Sequence, residues 1–252
     1  MTHEATIQQL HAMRLSTMAD AYAHQMHDPA IQDLSFSERF SMIVDVEYRQ
    51  RKDNRLKRLI QNAHFELPHA HIADVNYTSR RKLNRETVHR LAEGSYIDQH
   101  HNIIILGAAG LGKTYLACAL GMAACHQFYK VRYIRLPNLL GDLAVARGEG
   151  IYRKVMKQQF QSPSLLIIDE WLLVSLTETE SQDLLNLINS RHHRSSTIFC
   201  SQFSPQGWHG KFSQSPLADS ILDRIVHDSY TVFLESADEE FSMRELYGIN
   251  KA

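Results

Sequence analysis

The segment that most restricts what this chain can become is Gly107-Ala108-Ala109-Gly110-Leu111-Gly112-Lys113-Thr114, set between the apolar run Asn102 to Leu106 and a proline-free helical pattern from Tyr115 to Gln127. Glycines at a strand-to-helix turn leave backbone N–H groups bare, and the helix N-terminus behind them carries partial positive charge. Together they form a cradle for phosphate. The spacing is that of a P-loop. It predicts that the backbone of 107–114 cups the phosphates, that Lys113 bridges the β- and γ-phosphates, and that the Thr114 hydroxyl holds Mg²⁺. Such a loop needs a buried strand before it, which β-branched Ile103, Ile104 and Ile105 supply.

From Asn102 onward, strand-like runs at 102–106, 131–135, 164–168, 197–201 and 230–234 alternate with helical segments. This alternation predicts an α/β fold, a parallel five-stranded sheet with helices on both faces. The run Ser164 to Ile168 ends in Asp169-Glu170, the Walker B pattern of a buried strand with two carboxylates at its tip. Asp169 is expected to hold Mg²⁺ through water, and Glu170 to polarise the attacking water. The run from Ser196 ends in Ser201-Gln202, small polar groups at the edge where open α/β sheets bind ligands, so either side chain is a candidate γ-phosphate sensor. Ser215-Pro216 opens a helix that carries Arg224, a candidate arginine finger for the transferring phosphoryl, with Arg191 and Arg194 as rival donors.

Charge leaves a nucleic-acid partner to local clustering, since 27 Lys+Arg against 28 Asp+Glu give a net charge of −1. Two clusters stand before the sheet. Residues 4 to about 65 are predicted helical throughout up to a break at Pro29, and a second helix begins with the capping box Ser35-Phe36-Ser37-Glu38. Its far end carries Arg49, Arg51, Lys52, Arg55, Lys57 and Arg58 against Asp53 alone. After a linker around Pro68, Ser79 is expected to cap a short basic helix from Arg80 to Glu93, with Arg80, Arg81 and Lys82 in its first turn. Such faces neutralise successive phosphates of double-stranded DNA without choosing a sequence. The predicted organisation is a helical DNA- or partner-binding domain (1–65), a linker with the basic helix (66–95) and an ATPase domain (96–252).

Three cysteines, Cys118, Cys125 and Cys200, fit reduced packing residues. The histidine groups His69/His71, His100/His101 and His192/His193 lack the spacing of a closed zinc site, so no metal beyond nucleotide-bound Mg²⁺ is expected. With no apolar run of membrane-spanning length and no signal-like start at Met1-Thr2-His3-Glu4, a cytoplasmic location is expected and no membrane partner.

Gly107 to Thr114, Ile168-Asp169-Glu170, Ser201-Gln202-Phe203 with Gly207-Trp208-His209, and Ala218 to Asp228 together resemble the IstB-type transposition-helper ATPases of bacterial insertion sequences. Leu10 to Ala19 is similar to the start of that family. Those proteins resemble DnaC-type helicase loaders within the AAA+ ATPases. The resemblance implies an ATP-dependent, DNA-binding oligomer that serves a transposase encoded by the same element, with Arg224 as a finger acting across subunits. It leaves open a loader for a replicative helicase, or a nucleotide-gated scaffold with little hydrolysis, which the intact Glu170 argues against. Two departures stand out. Trp171 to Leu176 replaces the Phe-Gly and Leu-Pro stretch of many relatives, and after Leu234 there is room for one short helix near Asp238 to Leu246 rather than a C-terminal lid.

Overall fold

The structure is a computed structural model that describes residues 2–31, 33–77 and 81–236. Ser79, Arg80 and the short helix expected near Asp238 to Leu246 lie outside the described residues. The chain divides into two compact units, Met1–Arg58 and Leu59–Ala252.

The first unit is helical: α1 (His3–Ala12), α2 (Ser16–His27), a 3₁₀ turn at Pro29–Ile31, and the greater part of α3 (Phe36–Ala63). The expected unbroken helix up to Pro29 is corrected by a stop at residues 13–15. Arg14 takes φ 60°, and the Leu15 N–H reaches back to the Leu10 carbonyl at 2.9 Å. This is a left-handed helix stop without its usual glycine, so the sequence did not announce it. The capping box at the start of α3 forms as predicted: the Glu38 N–H donates to Ser35 Oγ at 3.3 Å while Glu38 Oε2 accepts from the Ser35 N–H at 2.9 Å. Among the described residues of this unit only Ala19, Ile43 and Glu47 are buried, while Phe36, Phe40, Met42, Val44 and Tyr48 stay exposed on α3.

The second unit runs β1 (Arg81–Lys82), α4 (Arg85–Ala92), α5 (Ser95–Asp98), β2 (Asn102–Gly107), α6 (Lys113–His126), β3 (Val131–Arg135), α7 (Leu136–Gly148), α8 (Tyr152–Val155) with a π-helical continuation to Gln161, β4 (Leu165–Asp169), α9 (Glu178–Arg191), β5 (Ser196–Ser201), α10 (Pro205–Trp208), α11 (Ser215–Val226) and β6 (Ser229–Ser236). The sheet order is β1-β6-β2-β5-β4-β3. Five of these strands are parallel, as predicted, and lie within a residue or two of the predicted runs. The sixth, β1, is a correction. Arg81 and Lys82 pair antiparallel with Ser236 and Glu235 instead of opening a helix. The helix starts at Arg85, where Asn84 rather than Ser79 is the cap, its side chain accepting from the Thr87 N–H at 3.0 Å.

Strand alternation sends Ile104, Leu106, Ile134, Leu166, Ile168 and Phe199 into one core with α7, α9 and α11. The opposite face receives α6, which is apolar all round because it is covered twice, by the sheet on one side and by α4 and Ile72–Asp74 on the other. Gly121 marks how closely it lies: a Cβ there would stand 2.6 Å from the Phe65 ring and 2.7 Å from Ile167.

Candidate nucleotide site

The loop 107–112 leaves β2 and enters α6 through two glycines in the left-handed region, Gly110 at φ 82° and Gly112 at φ 84°. Any other residue there costs about 1–2 kcal/mol in backbone strain. Gly107 is required for a different reason, because a Cβ would stand 2.6 Å from the Leu234 carbonyl oxygen on β6. Ala108, Ala109 and Leu111 complete the turn, with Leu111 buried as its anchor. Lys113 arches back over the loop, its ammonium donating to the Gly107 and Ala108 carbonyls at 2.7 and 2.8 Å.

Parallel pairing of β4 with β5, and of β5 with β2, brings the second half of the site alongside the first. The tips of β2 and β4 are two strand spacings apart, about 10 Å. Cys200 on the intervening β5 is small enough for the first turn of α6 to settle above it, its Sγ 4.0 Å from the Lys113 carbonyl. Thr114 Oγ then donates to Asp169 Oδ2 at 2.6 Å across a sequence separation of 55 residues. Asp169 is 4% exposed, and its carboxylate is oriented from two further sides: the Tyr133 hydroxyl donates to Oδ2 at 2.9 Å and the Glu170 N–H to Oδ1 at 2.8 Å. Burial and the Asp169 charge push the Tyr133 phenol up, so it remains a donor. A hydroxyl and a buried carboxylate at the phosphate cradle are hard oxygen donors, the set that suits Mg²⁺.

Glu170 follows at φ 56°, a left-handed non-glycine residue of the kind that clusters at functional sites. Its carboxylate lies 3.9 Å from Arg135, which also grips Glu66 at 2.6 Å. Glu66, Tyr133 and Arg135 were not singled out from the sequence. Tyr133 and Arg135 arrive by register, since β3 pairs with β4 and Arg135 stands opposite Asp169, while Glu66 comes from the segment after α3 and meets Arg135. The available signal was that β3 ends at the same height as Walker B.

The two residues at the end of β5 separate. Ser201 is buried, its hydroxyl donating to the Trp171 carbonyl at 2.9 Å and accepting from Trp208 Nε1 at 2.9 Å and the Phe203 N–H at 3.2 Å. Gln202 is exposed. The divergent Trp171 and Leu172 are fully buried, with the Trp171 ring edge-on to Phe199 and Trp208.

The three arginine candidates also part. Arg191 is 2% exposed and donates to the carbonyls of Phe160, Pro163 and Ser196 and to Thr197 Oγ1, so it holds the interior together and cannot reach a phosphate. Arg194 is exposed at the start of β5. Arg224 is half-buried near the C-terminal end of α11, folded back onto Ser220. The chain enters β6 just beyond it, and Ser229 pairs with Asn102, at the far end of β2 from Gly107. Arg224 therefore sits about one strand length, on the order of 17 Å, from its own P-loop.

On α3, Arg49, Arg51, Lys52, Arg55, Lys57 and Arg58 are all exposed. Arg51 is partly committed, donating to Glu47 at 2.6 Å and to the Arg14 carbonyl at 3.1 Å. Arg49 lies 3.9 Å from Asp45. Among the described residues no helix is long and apolar enough to cross a membrane.

The sequence profile of the IstB-like ATP binding protein family matches residues 8–245. An insertion sequence ATP-binding protein of Sinorhizobium fredii is 36% identical over 235 residues, 93% of this chain and 95% of the relative. A second, the ATP-binding protein of an insertion sequence from Pseudomonas fluorescens, is 40% identical over 202 residues, 80% of this chain and 87% of the relative. The crystal structure of the DnaC helicase loader superposes with a TM-score of 0.55 at 15% identity, covering 66% of this chain and 97% of that one. The fold is thus that of a P-loop AAA+ ATPase.

Proposed function

The chain belongs to the IstB-like ATP-binding family of insertion sequences, and from that premise we propose that it is a cytoplasmic helper of DNA transposition that binds and hydrolyses ATP, assembles on double-stranded DNA and recruits or stimulates the transposase of its element. The observation that carries the hydrolytic part is the meeting of Thr114 with Asp169 at the P-loop, with Glu170 next in the chain. The loop N–H groups and Lys113 hold the phosphates of ATP. Thr114 and Asp169 would hold Mg²⁺, which would supply charge neutralisation to the phosphoryl oxygens. Glu170 takes the role of polarising the attacking water, its carboxylate standing 3.9 Å from Arg135. Gln202 is the accessible sensor of the γ-phosphate at the tip of β5. Arg224 serves a neighbouring subunit, a reading supported by its distance from its own P-loop.

The DNA-binding part rests on the exposed cations of α3, together with Arg80, Arg81 and Lys82. The partner is assigned to the first unit, whose apolar side chains on α3 are left uncovered. ATP turnover measured with and without duplex DNA should rise with DNA, and Glu170→Gln should lower it by about 10²-fold or more while prolonging the DNA-bound state. Unchanged turnover in Glu170→Gln would favour a scaffold. The client is read by pull-down with the full chain in its ATP state, where recovery of a replicative helicase and no transposase would favour the loader.

A further inference from the structure

Away from the P-loop, two corners of the second unit meet at the opposite end of the sheet. One is the turn from α9 into β5, where His192 ends the helix and His193 adopts φ 56°. The other is the turn from α11 into β6, which carries Asp228. The left-handed conformation of His193 folds the two imidazoles together, with centroids 3.7 Å apart. Both Nδ1 atoms then face one oxygen, Asp228 Oδ2, at 3.6 Å from His192 and 3.5 Å from His193. We propose that His192, His193 and Asp228 form a site for a zinc-class divalent cation, bound through two imidazole nitrogens and one carboxylate oxygen.

The distances distinguish this from a pair of ordinary contacts. Both separations exceed the usual hydrogen-bond range. They match the edge of a ligand tetrahedron, because metal–nitrogen and metal–oxygen bonds of about 2.0–2.2 Å at tetrahedral angles set ligands about 3.4 Å apart. All three ligand atoms lie within 4.8 Å of one another.

The corners are also held in place. The Asp228 carbonyl accepts from the Asn102 N–H at 2.7 Å, while the N–H groups of Arg194 and Ser195 bond back to the Arg191 carbonyl at 2.9 and 3.0 Å.

Two nitrogens and one carboxylate select zinc or a neighbouring transition metal over Mg²⁺ or Ca²⁺, and three protein ligands leave a position open to water. Sequence spacing hid the site, because adjacent histidines carry no metal pattern and the third ligand comes from another corner of the fold.

The test uses tag-free full-length protein titrated with Co²⁺ in excess Mg²⁺, which keeps the Thr114–Asp169 site out of the measurement. We expect one equivalent bound, with visible bands of a tetrahedral or five-coordinate cobalt centre that Zn²⁺ bleaches by displacement. His193→Asn, whose new side chain tolerates the left-handed conformation, and Asp228→Asn should each abolish saturable binding, whereas Lys113→Ala should retain it. Zn²⁺ should raise the Tm of wild type, a chelator should reverse the rise, and His193→Asn in chelator should melt like metal-free wild type. Absence of saturable binding in wild type, or equal binding in wild type and His193→Asn, would overturn the assignment.

Discussion

Arg191 carries a guanidinium into the interior with carbonyls and one hydroxyl as its partners, drawn from the end of the π-helical turn, the loop before β4 and the start of β5. In the sequence it stands in a basic cluster and looks like a candidate finger; burial removes it from that role. Replacing it with Met leaves several buried acceptors without donors at about 1–3 kcal/mol each, so Arg191→Met should lose at least about 3 kcal/mol in urea unfolding. Residues whose placement follows from local spacing were legible: Gly107, Gly112, Lys113, Thr114, Asp169 and Glu170 sit in short motifs that specify their own geometry. Tyr133, Arg135 and Glu66 were not, since each reaches the Walker B acids through strand register or a returning segment.

Elements were predicted best where one physical cause acted alone. The five parallel strands were legible because burial on both faces produces unbroken β-branched runs, and α3 because Ser35 and Glu38 form a capping box. Where two elements compete for a segment, local pattern failed: Arg81 and Lys82 look helical but pair with the end of β6. The helix stop at Arg14 was hidden because a glycine did not mark it. Close packing of α6 on β4 leads to a further expectation. Gly121→Val would drive a branched side chain into Phe65 and Ile167, and we expect a loss of about 1–3 kcal/mol, read as a lowered thermal midpoint. Nucleotide affinity should fall with it, because the same helix presents Lys113 and Thr114.

For the whole molecule, the separation of Arg224 from its own P-loop supports the proposal that the hydrolytic site is shared by two subunits. Lys113→Ala and Arg224→Ala should each be nearly inactive, with a loss of about 10³-fold or more where the finger is missing. Mixed in equal amounts, they should recover activity, because random assembly pairs an intact loop with an intact finger at about a quarter of the interfaces. A mixture no more active than its components would place the finger in cis. Sequence alone suggested this arrangement only through resemblance; its topological support is that the helix between β5 and β6 ends where β2 begins. One consequence concerns the ends of an assembly. If Arg224 acts in trans, a molecule that offers its finger from one flank and its phosphate cradle from the other is polar, and a stack of such molecules would have a head and a tail. In an open stack the subunit at one terminus lacks a donor and cannot turn over, whereas a closed circle has no idle member. Activity per chain would then climb with stack length, making the enzyme a gauge of how far its own polymer has grown.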